Sequence, residues 1–187
     1  MIVHVDGVQG SGKSYICSHI NNALCIDTDD IMKEAIDIIE TSQGTDKRIP
    51  RTFHQLSKIK SQLADEIIKQ HPDDIIVFVG MTVNIKNPKY KLFIKITEPS
   101  EVYRRLILRE MYKIIKSENK IKKHLNDEKN PKEYDIHRIA DLSIKFPVDY
   151  QEFIDDYRER LQESKKKGYT PKTQDEIIDF INGLSCK

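Results

Sequence analysis

Apolar positions along the chain fall into two rhythms, short continuous runs and longer stretches spaced three or four apart, and each rhythm predicts an element. Ile2 to Val5 is a short buried strand. Past a glycine-rich break, Ile16 and Ile20 lie at helical spacing and predict a helix from about Lys13 to Asn22, with a second strand over Ala23 to Ile26. Phe53, Leu56, Ile59, Leu63 and Ile67 form one apolar stripe, which makes 51–70 an amphipathic helix. Pro72-Asp73-Asp74 interrupts the chain before Ile75 to Val79, a run of the kind found in parallel strands buried on both faces, closed by Gly80. Leu92 to Ile96 predicts a fourth strand, and Pro99-Ser100 opens a long helix carrying Val102, Leu106, Met111 and Ile115. The Lys-, Asn- and Glu-rich stretch 116–133 reads as partly helical. Tyr150, Phe153, Ile154, Tyr157 and Leu161 mark a further helix, and Thr173 with Glu176 forms a capping box ahead of Ile177, Ile178 and Ile181.

Strands that alternate with helices predict an α/β fold: an open parallel sheet of about five strands covered by helices on both faces. Two places resist that scheme. About eleven residues separate the third and fourth strands, barely room for a crossover helix. A fifth strand belongs between the last two helices, yet Gly168-Tyr169-Thr170-Pro171 is short and polar. No linker or internal repeat divides the chain, so 1–187 reads as one domain.

Composition narrows the class. With 38% hydrophobic residues in 187, the chain has enough apolar surface to fold around a core, although 33% of it is charged. A formal charge of +1 gives none of the basic field that dominates nonspecific nucleic-acid binding. Cys17, Cys25 and Cys186 are odd in number and form no CxxC pair, so neither a disulfide framework nor a zinc site is expected. The six histidines never fall at ligand spacing with Cys, Asp or Glu. No run of 18 apolar residues and no leader pattern is seen. These features together predict a soluble protein of the cytoplasm with reduced thiols and no membrane partner.

The break after the first strand carries the most chemistry. Gly7-Val8-Gln9-Gly10-Ser11-Gly12-Lys13-Ser14 matches the phosphate-binding pattern GxxxxGK[ST]. A chain that wraps a polyanion with its own amides needs glycine where a Cβ would collide or φ must be positive. The expected ligand is a nucleoside triphosphate, ATP, with Mg²⁺. Gly7, Gly10, Ser11, Gly12, Lys13, Ser14 and Tyr15 are its expected contacts, with Lys13 reaching the β and γ phosphates and the Ser14 hydroxyl on the metal. A second cluster, Asp27-Thr28-Asp29-Asp30, ends the second strand, at the sheet edge where open α/β folds bind ligands. One carboxylate there can accept the proton of an attacking hydroxyl and another can hold Mg²⁺, as phosphoryl transfer requires. The competing reading is that Asp27 or Asp30 caps the helix that follows. Arg105 and Arg109, four apart, share a helix face that could turn toward phosphates, although such residues also make ordinary solvated surface.

The loop as GVQGSGKS followed by CIDTDDI resembles the small P-loop kinases with the nucleoside-monophosphate-kinase fold, shikimate and gluconate kinases among them. It is also similar to the kinase domain of phage-type polynucleotide 5′-kinases. The resemblance covers mainly 1–35 and more loosely 75–110. It implies a three-layer P-loop NTPase fold with a helical lid over roughly 109–146. Asp29 then takes the place of the general base that contacts substrate, Asp27 that of the metal shell, and Arg105 and Arg109 that of the donors stabilising the transferred phosphoryl group. Arg48 and Arg51 stand in the region where shikimate-type kinases hold an anionic substrate, and Gly80 where they begin a glycine run, although Met81-Thr82 departs from it. No Asp closes the third strand, which disfavours a motor ATPase. The activity implied is ATP- and Mg²⁺-dependent phosphoryl transfer to a nucleoside, nucleotide or small metabolite. Two alternatives stay open: a 5′-hydroxyl end of DNA or RNA as acceptor, and a nucleotide-binding or NTP-hydrolysing switch with no acceptor.

Overall fold

The computed structural model describes residues 1–42, 53–80, 83–126 and 149–185. Met1–Lys95 and Leu161–Lys187 form one compact unit, and Ile96–Arg160 forms a second.

The first unit contains all five strands: β1 (Ile2–Asp6), β2 (Leu24–Asp27), β3 (Ile76–Val79), β4 (Tyr90–Ile94) and β5 (Thr170–Lys172). They form one parallel sheet in the order β2-β3-β1-β4-β5. Alternation along these strands feeds two separate cores. Val3, Val5, Val77, Val79, Leu92 and Ile94 point to one face, where they meet Ile16 of α1 (Lys13–His19) together with Ile177 and Ile181 of a later helix, Gln174–Asn182. Ile76 and Phe78 point to the other face, against Ile31 of α2 (Thr28–Ser42) and Ala64 of α3 (Phe53–Gln70). Helices therefore cover both faces of an all-parallel five-stranded sheet, as the alternation predicts.

The two resistant places resolve differently. Between β3 and β4 the chain crosses β1 without a helix among its described residues, and Val83 and Ile85 drop into the α2/α3 core in place of one. The fifth strand does lie in the short polar segment. It is an edge strand of three residues that pairs, among the described residues, only with β4, so one side needs no ladder partner and Pro171 is tolerated there.

Element ends shift by a few residues from the sequence expectation. α1 stops at His19 because Ile20 is already extended, with φ −87° and ψ 127°. That early stop matters for the cysteines. The turn at Asn21–Ala23 brings β2 back beside α1, and Cys17 and Cys25 meet as a disulfide with Cα atoms 5.4 Å apart. The expectation of reduced thiols is overturned for this pair. Nothing in a spacing of eight reveals it, because the pairing arises from where α1 ends. Cys186 lies outside the described residues.

The second unit is built on α4 (Pro99–Asn126) and the first part of α5 (Tyr150–Lys166). Val102 and Leu106 are buried on α4, Phe153 and Tyr157 on α5. Tyr103 meets Tyr150 edge-on at 5.1 Å and Phe153 at 5.7 Å, and the Tyr157 hydroxyl accepts the Ile96 amide at 3.0 Å. α6 (Gln174–Asn182) returns to the sheet, with the capping box as predicted: Thr173 Oγ1 accepts the Glu176 amide at 3.3 Å, and Glu176 Oε2 accepts the Thr173 amide at 2.7 Å. That backbone bond, and the threonine side chain beside it, hold the Glu176 carboxyl below its ordinary range. No helix among the described residues is long and apolar enough to cross a membrane.

Candidate functional site

Because every strand runs the same way, the segments that follow β1, β2 and β3 all emerge at one edge of the sheet. The register fixes their heights. Val79 pairs with Val5 on one side and Asp27 on the other, so the ends of β1 and β2 stand level, two strand spacings or about 10 Å apart.

The glycine-rich loop leaves β1 at Gly7. Gly10 and Gly12 take φ of 81° and 89°, the left-handed region that glycine enters without cost. Gly7 is required for a different reason: a Cβ there would lie 2.7 Å from Ser11 Oγ and 3.0 Å from the Ile94 side chain. The Gly7 amide donates to Asp6 Oδ1 at 2.6 Å, and the Ser11 amide to the Val8 carbonyl at 3.2 Å. Lys13 folds back over the loop and donates from Nζ to the carbonyls of Gly7 at 2.8 Å and Val8 at 2.9 Å. An ammonium is thereby held against the Gly7 and Val8 carbonyls, and the first turn of α1 carries no carboxylate to oppose an anion. Ser11 is 1% exposed and its Oγ has no hydrogen-bond partner among the described residues, an arrangement that buried hydroxyls rarely keep. Ser14 is exposed in the first turn of α1, and Tyr15 beside it is exposed and lies 4.0 Å from the His19 ring.

The acidic cluster divides its labour. Asp27 caps α2, Oδ1 accepting the Asp29 amide at 2.9 Å, so the capping reading holds for this residue. Asp30 pairs with Lys33 at 2.6 Å on the surface, which raises the lysine's pKa. Asp29 is exposed in the first turn of α2.

Gly80 links the two clusters. Its amide donates to the Val5 carbonyl at 2.9 Å, and its φ of 132° is one that side-chain-bearing residues avoid. The Thr28 side chain occupies the place where a Cβ would stand, with Thr28 Cβ 3.3 Å from it. Close approach here sets where α2, and with it Asp29, begins. The Gly80 carbonyl accepts from Nε2 of His4 at 2.8 Å. His4 is buried in the central strand, so its proton on Nε2 leaves Nδ1 to accept the Tyr169 hydroxyl at 2.6 Å. Burial is the main cause lowering the His4 pKa, while burial and then Asp6 push Tyr169 up to about 12.

Arg105 and Arg109 belong to the second unit and are both exposed on α4. Arg105 donates Nε to Glu101 Oε1 at 3.0 Å, and Arg104 forms a two-pronged pair with the same carboxylate at 2.9 and 3.0 Å. Arg104 first, then Arg105, hold Glu101 down at about 2. Arg48 and Arg51 lie outside the described residues, as does much of the segment expected to form a lid.

Sequence reasoning missed three contributors. Thr28 and His4 stand on the acidic and apolar runs and signal nothing by spacing. Gln174, the first residue of α6, donates Nε2 to the Ser11 carbonyl. No protein-family model matches the chain, and no curated protein matches it.

Proposed function

We propose that the protein is an ATP- and Mg²⁺-dependent phosphotransferase that moves the γ-phosphoryl group to a hydroxyl of a small acceptor. One observation carries the reading: a loop with two left-handed glycines and a buried Ser11 hydroxyl that has no partner among the described residues lies under the folded-back Lys13, on the same sheet edge as an exposed Asp29. Loop amides suit a polyphosphate, and Lys13 can exchange its two carbonyl partners for β and γ oxygens. Ser14 and Oδ2 of Asp27 are the groups suited to hold Mg²⁺, which when bound would neutralise charge on the phosphates. Asp29 takes the proton of the acceptor hydroxyl. The acceptor oxygen bonds to the γ phosphorus while the bond from that phosphorus to the bridging oxygen breaks, leaving ADP. For Arg105 and Arg109 as donors to the transferred group, the support is helical spacing and the family resemblance.

The test is a panel of nucleosides, nucleotides, hydroxylated metabolites and 5′-hydroxyl oligonucleotides, each with Mg²⁺ and labelled ATP. Transfer above background hydrolysis with a small acceptor is expected. Transfer to the oligonucleotide alone selects a polynucleotide 5′-kinase. Hydrolysis that no acceptor alters, or binding without transfer, selects the switch reading.

A further inference from the structure

The glycine-rich loop is held from outside by a helix whose first residue stands 163 residues beyond Ser11 in the chain. Gln174 Nε2 donates to the Ser11 carbonyl, and the same side chain fills the space above Gly12, where a Cβ would come within 2.8 Å of Gln174 Cδ. Gly12 is thus glycine twice over, for its φ of 89° and for this contact.

The position of Gln174 is itself determined. The capping box at Thr173 and Glu176 fixes the start of α6, and Ile177 and Ile181, both 0% exposed, seat it on the sheet face shared with α1. At the far end of α6, Asn182 Nδ2 donates to the His19 carbonyl at 3.1 Å, and its Oδ1 accepts the Asn21 amide at 3.0 Å. α6 therefore braces the loop and α1 at both ends.

We propose that Gln174 is a positioning residue for the phosphate loop, setting the orientation of the Ser11–Gly12 peptide on which triphosphate binding depends. A peptide unit is planar and trans, so its C=O and N–H point in opposite directions. Holding the Ser11 carbonyl against α6 turns the Gly12 amide to the opposite side. A carbonyl rotated into the loop would present its negative end to a phosphate, and the Gln174 amide prevents that rotation. The proposal rests on the reading of the loop as a triphosphate site.

Calorimetric titration of ATP with Mg²⁺ into the full chain tests it, using wild type, Gln174→Met and Gln174→Glu. Methionine keeps the length and packing but cannot donate, and glutamate places two acceptors against the Ser11 carbonyl. Loss of affinity by roughly tenfold for Gln174→Met and more for Gln174→Glu is expected, with the thermal midpoint of Gln174→Met near that of wild type. In turnover the change belongs in KM for ATP and leaves KM for the acceptor alone. If wild type binds and Gln174→Met binds within twofold of it, the positioning role is overturned and the loop reading survives. If wild type binds no nucleoside triphosphate, the loop reading falls and the proposal with it.

Discussion

A methyl group added at Gly80 would have to displace Thr28, because the threonine side chain already stands in that space. The φ of 132° opposes a Cβ independently. Gly80→Ala should therefore destabilise by about 1–3 kcal/mol from backbone conformation alone, read as a lower urea midpoint with unchanged slope. Because Thr28 precedes Asp29, the same variant should lose transfer activity beyond its loss of stability. Asp29→Asn keeps the shape of α2 and removes the proton acceptor. Its turnover should fall by roughly 10² or more, with ATP affinity retained; unchanged turnover would show that another group takes the proton. Asp30→Asn, which breaks only a surface pair with Lys33, should leave turnover near wild type.

Among the elements, α1 is the least self-sufficient. Seven residues are too few for a stable isolated helix, and its N-cap residue Gly12 offers no side-chain cap. It is held instead by Ile16 in the core, by Asn182, and by the disulfide to β2. Closing a loop of this size by a disulfide contributes about 2–3 kcal/mol in the chain-entropy view. A thiol reductant should lower the melting temperature of wild type and leave that of Cys17→Ala with Cys25→Ala unmoved. The sequence made the main elements legible where a strong period or cap marked them, as in α3, β3 and the capping box of α6. It made the loop legible because its glycines answer to one local demand. What stayed hidden depends on how separate elements meet: Gln174 on Ser11, Thr28 on Gly80, Cys17 on Cys25. β5 was obscured for the opposite reason, since a three-residue edge strand needs neither apolar alternation nor full pairing.

Across the first unit, the central strand β1 carries a buried histidine bonded on both sides, to the end of β3 and to Tyr169 just before β5. Asp6, Lys91 and Tyr169 are the ionisable groups around it. Burial lowers the His4 pKa below the ordinary value near 6.5, so the unfolded chain binds this proton more readily than the folded one. The contribution to stability is complete above that ordinary value and is lost as pH falls through the folded value. His4→Gln can still donate to Gly80 but does not titrate. Its urea stability should decline less than that of wild type between pH 7.5 and the acid limb; parallel curves would show that His4 is not the cause. The sheet order has a temporal consequence. A ribosome makes the glycine-rich loop well before β3, β4 and Gln174, which surround or brace it. A nascent chain must carry its best-marked segment unbraced until those later elements emerge. Competence for a triphosphate should then arrive abruptly as the α6 residues emerge, rather than growing with length.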